Sequence, residues 1–249
     1  VSATDAPAVR PTASADPVPR STALALLVLV SVVWGAHWTV VKVGLRTMPP
    51  LTYAALRVGG GLAVVLVLLA TQGRLRRPPR ADLPVVLSVG LVQVAFGIIA
   101  MNLGVSVVSA GRSSVLVYSM PVWVALILAV RGRSRPSAPE FVGLTLGIVG
   151  LALLVAPALA GSGRGAGEAL GVAVLLSGAV TWAWATIHVR EHRWTTTQWE
   201  LQPWQLAVGL VPIAVAAAVV ERGQAIAWDV TTVLALLYSG PLATAFGFW

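Results

Sequence analysis

Along the chain, long apolar blocks alternate with short polar ones, and the blocks are of nearly uniform length. Eight of them are long enough to cross a hydrocarbon layer of ~30 Å as helices rising ~1.5 Å per residue. They are roughly Thr22–Leu45, Leu51–Thr71, Leu83–Leu103, Ser109–Val130, Phe141–Leu159, Leu170–Val189, Pro203–Val220 and Thr231–Trp249. They contain few charges and little of the apolar–polar alternation of a strand. Backbone polar groups in lipid must be satisfied within a helix or a closed barrel, so the pattern predicts an all-α polytopic membrane bundle. Residues 1–21 differ, being rich in Pro, Ala, Ser and Thr without apolar periodicity, and read as a disordered cytoplasmic tail. No small-residue cleavage pattern follows the first apolar block, so that block is read as a span and not as a signal peptide.

The blocks also repeat. Trp34, Arg57 and Gly61 reappear 148 residues later as Trp182, Gln205 and Gly209, and Lys42 as Arg190. At a step of 150, Val94-Ala95-Phe96-Gly97 falls on Thr244-Ala245-Phe246-Gly247 and Gly90 falls on Gly240. This divides the chain into a first repeat over 22–160, with five spans, and a second over 169–249, with three. An odd number of spans forces the second copy to enter the membrane from the opposite side, so the repeats are expected to be inverted. The second copy stops two spans short of the first, and the chain is expected to be a truncated form or fragment of a ten-span protein.

Composition changes little in this picture and excludes much. Hydrophobic residues make up 57% of the chain and charged ones 10%, which does not fit a soluble domain. Cysteine is absent, which removes disulfides, thiolate metal sites and cysteine nucleophiles. The net charge of +8 comes from arginines scattered over short loops without an aromatic-interleaved basic face, so nucleic acid is not an expected partner. Arg10, Arg20, Arg74, Arg76, Arg77, Arg80, Arg131, Arg133, Arg135, Arg190 and Arg193 fall on one side, against Arg46, Arg112, Arg164 and Arg222 on the other. The positive-inside bias therefore puts the N-terminus in the cytoplasm. Richness in Ala, Val and Arg with almost no Lys fits a bacterial gene and hence the inner membrane.

Chemistry-bearing residues inside the spans are few. Trp34, His37 and Trp38 share one helix face at i, i+3 and i+4, where aromatic rings beside an imidazole suit a planar or cationic solute, or equally an interfacial packing role. Arg57 lies about one and a half turns into its span, where a charge costs on the order of 3 kcal/mol. It either meets an anionic substrate or snorkels to the headgroups, and its counterpart Gln205 is neutral. Tyr118 precedes Pro121, which should kink its helix and free backbone carbonyls. Trp34, His37, Trp38, Arg57, Tyr118, Trp182 and Gln205 form the candidate substrate pathway. Gly61, Gly209 and the stripe Gly143, Gly147 and Gly150 read as helix-packing positions. Lys42 and Arg190 read as interfacial anchors, and His188 and His192 as solvated groups near the cytoplasmic surface. All nine Asp and Glu residues fall in the tail, loops or helix ends. Any proton coupling would then fall to His37, a tyrosine or the substrate itself. Phosphate-binding loops, metal-ligand spacings and nucleophile–base pairs are missing, so no cofactor, no metal and no enzymatic activity are expected.

Several of these motifs also occur together in order. Trp34-Gly35 followed by Lys42, Pro49-Pro50-Leu51-Thr52 leading into Leu56-Arg57, and Ser109-Ala110-Gly111-Arg112-Ser113-Ser114 leading into Met120-Pro121-Val122-Trp123 resemble the EamA family of the drug/metabolite transporter superfamily. Trp182 and Trp204-Gln205 open the same pattern in the second copy. The resemblance covers nearly all of the chain after the tail. It implies ten spans in two five-helix repeats, a cytoplasmic N-terminus, and movement of small metabolites. The sequence departs from the pattern at Val130-Arg131-Gly132-Arg133, where an acidic residue often follows the fourth span. The expected function is a secondary carrier for a small organic metabolite or drug, working by alternating access, with homo-oligomerisation left open. The alternatives are a non-transporting membrane subunit or remnant, and a membrane enzyme.

Overall fold

The computed structural model describes residues 19–133, 136–160 and 166–245. The expected tail, Arg135 and Arg164 of the charge pattern, Phe246-Gly247 of the repeat and the end of the last span at Trp249 lie outside the described residues.

Among the described residues the chain is helical, with no strand. Seven helices are long and apolar enough to cross a membrane: α1 (Arg20–Gly44), α2 (Pro50–Thr71), α3 (Arg80–Val107), α4 (Ala110–Val130), α5 (Ala138–Leu159), α6 (Gly167–Glu191) and α7 (Gln198–Val220). The eighth, α8, is helical over Val230–Thr244 among the described residues, within the expected block Thr231–Trp249 apart from its first residue. Local sequence sets the ends. Pro50 opens α2 at a position where its missing N–H costs nothing. Gly73 and Gly132 follow α2 and α4 with φ of 63° and 65°, and Gly223 follows α7 with φ of 79°. That left-handed backbone favours glycine and turns the chain out of a helix. Thr197 caps α7 by accepting from the Glu200 amide, and Asp229 caps α8 by accepting from the Thr232 amide at 2.7 Å. The amide and hydroxyl of Thr232 hold the Asp229 carboxyl below the usual carboxylate range.

Two apolar clusters hold the bundle. One lies between α2, α3 and α7 and includes Val58, Val65, Val94, Ile98, Leu206 and Ile213. The other joins α1, α3, α4 and α6 through Val41, Met101, Val105, Leu116 and Leu175. Leucines and valines such as Leu27, Val67 and Val215 face outward, as a lipid-facing surface requires. Lys42, read from sequence as an interfacial anchor, turns inward. Its ammonium donates to the carbonyls of Val105, Ser106 and Val108 at 2.5, 3.0 and 2.9 Å and so caps the C-terminus of α3.

Helix pairs related by the sequence repeat cross in the same way. A Cβ on Gly61 of α2 would lie 2.8 Å from Thr244 Cβ of α8, and one on Gly240 would lie 2.8 Å from the Arg57 carbonyl. At the counterpart positions, a Cβ on Gly209 of α7 would lie 2.6 Å from Val94 Cβ of α3, and one on Gly90 would lie 2.9 Å from the Gln205 carbonyl. Both partner helices are wound as π-helix at the crossing, over Val89–Phe96 and Tyr238–Thr244. The stripe Gly143, Gly147 and Gly150 requires correction as a packing seam. A Cβ at Gly147 would meet Val122 at 3.0 Å, but at Gly143 or Gly150 it would meet nothing within 4 Å. The reason is the position of α5, which lies at the edge of the described bundle with most of its surface exposed.

Polar ties close the loops at each end. At the tail-side end, Asp82 is fully buried and accepts from the Thr195 and Thr196 hydroxyls at 2.7 and 2.9 Å, while sharing a 2.8 Å hydrogen bond with His192. At the far end, the Thr232 hydroxyl meets the Thr47 hydroxyl at 2.6 Å. Thr47 and Thr195 are 148 residues apart, and Asp82 and Thr232 are 150 apart, so the two ties occupy equivalent places. The Glu221 carboxylate accepts from the Leu51 and Thr52 amides at 2.8 and 2.7 Å, at the positive end of α2. His192 is therefore a tethered group, and His188 stacks on Trp184 at 5.5 Å with a shielded Nε2. The expectation that both were solvated is corrected by these contacts.

Candidate functional site

Near the Gly61–Gly240 crossing, α1, α2, α3, α4, α6 and α8 surround a cavity of about 310 Å³. Three consecutive positions on one face of α1 reach it, since i, i+3 and i+4 lie together on a helix: Trp34, His37 and Trp38. From α2 comes Arg57, from α4 Tyr118, Met120 and Pro121, from α6 Trp182, and from α8 Ala243 and Thr244. The structure thus brings together six of the seven pathway candidates and the kink residue Pro121.

Gln205 is the exception. It is buried at the crossing of α7 with α3 and is not among the cavity walls. The physical reason lies in the side chains of that crossing: Val208 presses on Gly90 and Val94 on Gly209. Its counterpart has Gly60 where Val208 stands, and Thr244 in place of Val94. Met101, Val117, Met120, Ala243 and Thr244 line the cavity and were not named as pathway candidates from sequence. For Thr244 a signal existed, because it is the repeat counterpart of Val94 and is polar where the first copy is apolar.

The aromatic wall is ordered by its own hydrogen bonds. Trp38 Nε1 donates to Tyr118 Oη at 3.0 Å, their rings meet edge to face at 5.7 Å, and Tyr118 Oη approaches the Trp34 carbonyl at 3.4 Å. Tyr118 ends the first part of α4, which is interrupted at Ser119 before resuming at Met120. Ser119 Oγ stays occupied, donating to the Leu116 carbonyl and accepting from Trp123 Nε1 at 3.0 Å. His37 stacks at 6.5 Å on Tyr238, whose hydroxyl donates to the Val33 carbonyl at 2.7 Å.

Arg57 supplies the cavity's charge. The residue is 6% exposed, which rules out a snorkelling guanidinium, and its Nε and Nη1 have no hydrogen-bond partner among the described residues. His37 Nδ1 is likewise buried and unpartnered. No Asp or Glu lines the cavity, and no group of three or more metal-ligating side chains occurs among the described residues. The arrangement offers a cationic donor, an imidazole and an aromatic enclosure.

Residues 21–156 match the EamA-like transporter family. The chain is 25% identical to the uncharacterized transporter YoaV of Bacillus subtilis (strain 168), covering 89% of this chain and 75% of that protein. It is 28% identical to a probable amino-acid metabolite efflux pump of Escherichia coli (strain K12), covering 90% and 74% respectively. The uncharacterized transporter YvbV of B. subtilis is 27% identical, covering 92% and 74%. This polytopic helical protein is a membrane transporter and not an enzyme, and it belongs to the EamA-like transporter family.

Proposed function

We propose that the chain is a secondary transporter that moves a small organic metabolite across a bacterial inner membrane, with the N-terminus cytoplasmic and two inverted repeats exchanging access to a central site. One observation carries the reading: the cavity sits at a glycine crossing between α2 of the first repeat and α8 of the second, and its repeat-related crossing between α7 and α3 is closed by valines. Two equivalent crossings, one beside a cavity and the other filled, are what a rocking pair of repeats requires at one end of its cycle. The aromatic wall and Arg57 form the solute-holding face. The ties at Asp82–Thr195 and Thr47–Thr232 close the two ends. His37, whose imidazole faces the cavity, is the residue to which this reading assigns any proton coupling. The E. coli relative is named for amino-acid metabolites, and a solute of that size suits the cavity.

The test is reconstitution into proteoliposomes and uptake of a labelled metabolite pool, with and without an imposed pH gradient. Uptake above protein-free vesicles that saturates with solute supports the carrier. Gradient dependence lost in His37→Gln assigns the coupling, and linear uptake indistinguishable from empty vesicles refutes the reading.

A further inference from the structure

We propose that the cavity selects organic monocarboxylates. Arg57 seats the one negative charge, the planar apolar body lies among Trp34, Trp38 and Trp182, and a net anion is preferred over a zwitterion, an amide or a cation. This rests on the reading of the cavity as the transport site.

The argument begins with the counter-ions. Seven of the nine acidic residues are described, and each is engaged elsewhere. Asp82 holds His192, Thr195 and Thr196; Glu140 accepts from the Ser137 amide at its own helix start; and Asp229 caps α8. Glu168 pairs with Arg112, Glu191 with Arg133, Glu200 with Arg74, and Glu221 with the start of α2. None of them lines the cavity. A guanidinium taken out of water without an anion carries a desolvation penalty of several kcal/mol, which a carboxylate arriving with the solute offsets.

The repeat shows that the fold does not need this charge. Gln205 occupies the equivalent position, with its carbonyl pressed by Gly90 as the Arg57 carbonyl is pressed by Gly240. A neutral side chain serves that packing, so the charge at Arg57 is additional to it. The donors left free on Arg57 match a carboxylate, and hydrogen bonds between ionised partners are roughly twice as strong as neutral ones. An ammonium placed in the same cavity meets no carboxylate. The tryptophan faces offer it cation–π attraction, against repulsion from Arg57 that grows in a low-dielectric enclosure. The balance favours the bare anion over the zwitterion.

Binding would be measured on the full chain in lipid nanodiscs with four probes sharing one ring: phenylacetate, phenylacetamide, phenylalanine and phenethylammonium. Phenylacetate is expected to bind at least about tenfold more tightly than any of the others, the scale of one charge-assisted hydrogen bond. Arg57→Gln, which copies the residue at 205, is expected to abolish that preference, bringing phenylacetate binding down to about the level of phenylacetamide, and Arg57→Lys to retain part of it. Equal binding of phenylacetamide or phenethylammonium to the unaltered chain overturns the proposal without recourse to any variant. So does a carboxylate preference that survives in Arg57→Gln. Saturable uptake of other solutes with no phenylacetate binding overturns the carboxylate assignment alone, whereas absence of saturable uptake of any solute overturns the transport reading beneath it.

Discussion

At the scale of single residues, close approach of backbones separates glycines that look alike in sequence. A Cβ on Gly209 would sit 2.4 Å from Val94 Cγ1 and 2.7 Å from the Gly90 carbonyl, and the carbonyl cannot rotate away. Gly209→Ala should therefore destabilise by about 1–3 kcal/mol, the usual cost of overpacking. Gly143 has open space around its missing Cβ. Gly143→Ala should leave stability unchanged or raise it slightly, by up to ~1 kcal/mol of helix propensity. Thermal unfolding of the two variants in one detergent checks both statements. A melting temperature for Gly209→Ala equal to that of the unaltered chain would mean that the α7–α3 crossing is looser than these distances require. The same contrast explains why sequence could name both as packing positions, Gly209 from the repeat and Gly143 from its spacing: neither signal says whether a neighbouring helix covers that face.

At the scale of helices, ends and ties matter more than propensity, because the apolar blocks form helices almost regardless of detail. Asp82 shows the effect. Its carboxylate collects the hydroxyls of Thr195 and Thr196, the Thr195 amide and His192, fixing the start of α3 to the segment between α6 and α7. Asp82→Ala would leave this buried site without an acceptor, and should cost at least about 2 kcal/mol, within the range for lost hydrogen bonds to a charged group. The check is denaturant or heat unfolding alongside Asp82→Asn, which should recover part of the loss. Of the architecture, the helices themselves were legible from apolar length, and the cavity-lining face of α1 from the spacing of Trp34, His37 and Trp38. The Asp82 tie was not, since His192 lies 110 residues from its partner and nothing local in Arg190–Thr196 marks it. Lys42 was misread as an anchor for the same reason, because the carbonyls it caps belong to another helix. Arg57 stood out because charge inside an apolar block is expensive in any fold, and so its importance needed no knowledge of its neighbours.

At the scale of the whole molecule, the proposed cycle turns on whether the tie at the far end opens. Thr47 precedes α2 and Thr232 lies in the first turn of α8, and their hydroxyls are 2.6 Å apart. The tail-side equivalent replaces one hydroxyl by the Asp82 carboxylate and is much more heavily bonded. If the repeats rock, the neutral far-end tie is the one that separates at lower cost. The chain has no cysteine of its own, so Thr47→Cys with Thr232→Cys gives a single defined pair at a separation from which a disulfide can form with small adjustment. Oxidation of this pair should stop solute uptake into proteoliposomes, and a reductant should restore it. Asymmetry in a second readout distinguishes locking from damage. A third cysteine at Tyr118, on the cavity wall, should lose its labelling by an impermeant maleimide from the far side when the pair is oxidised and regain it on reduction. Uptake that continues unchanged through a verified disulfide would mean that α2 and α8 do not part at that end, and the solute would then have to enter and leave past α4, whose interruption at Ser119 borders the same cavity.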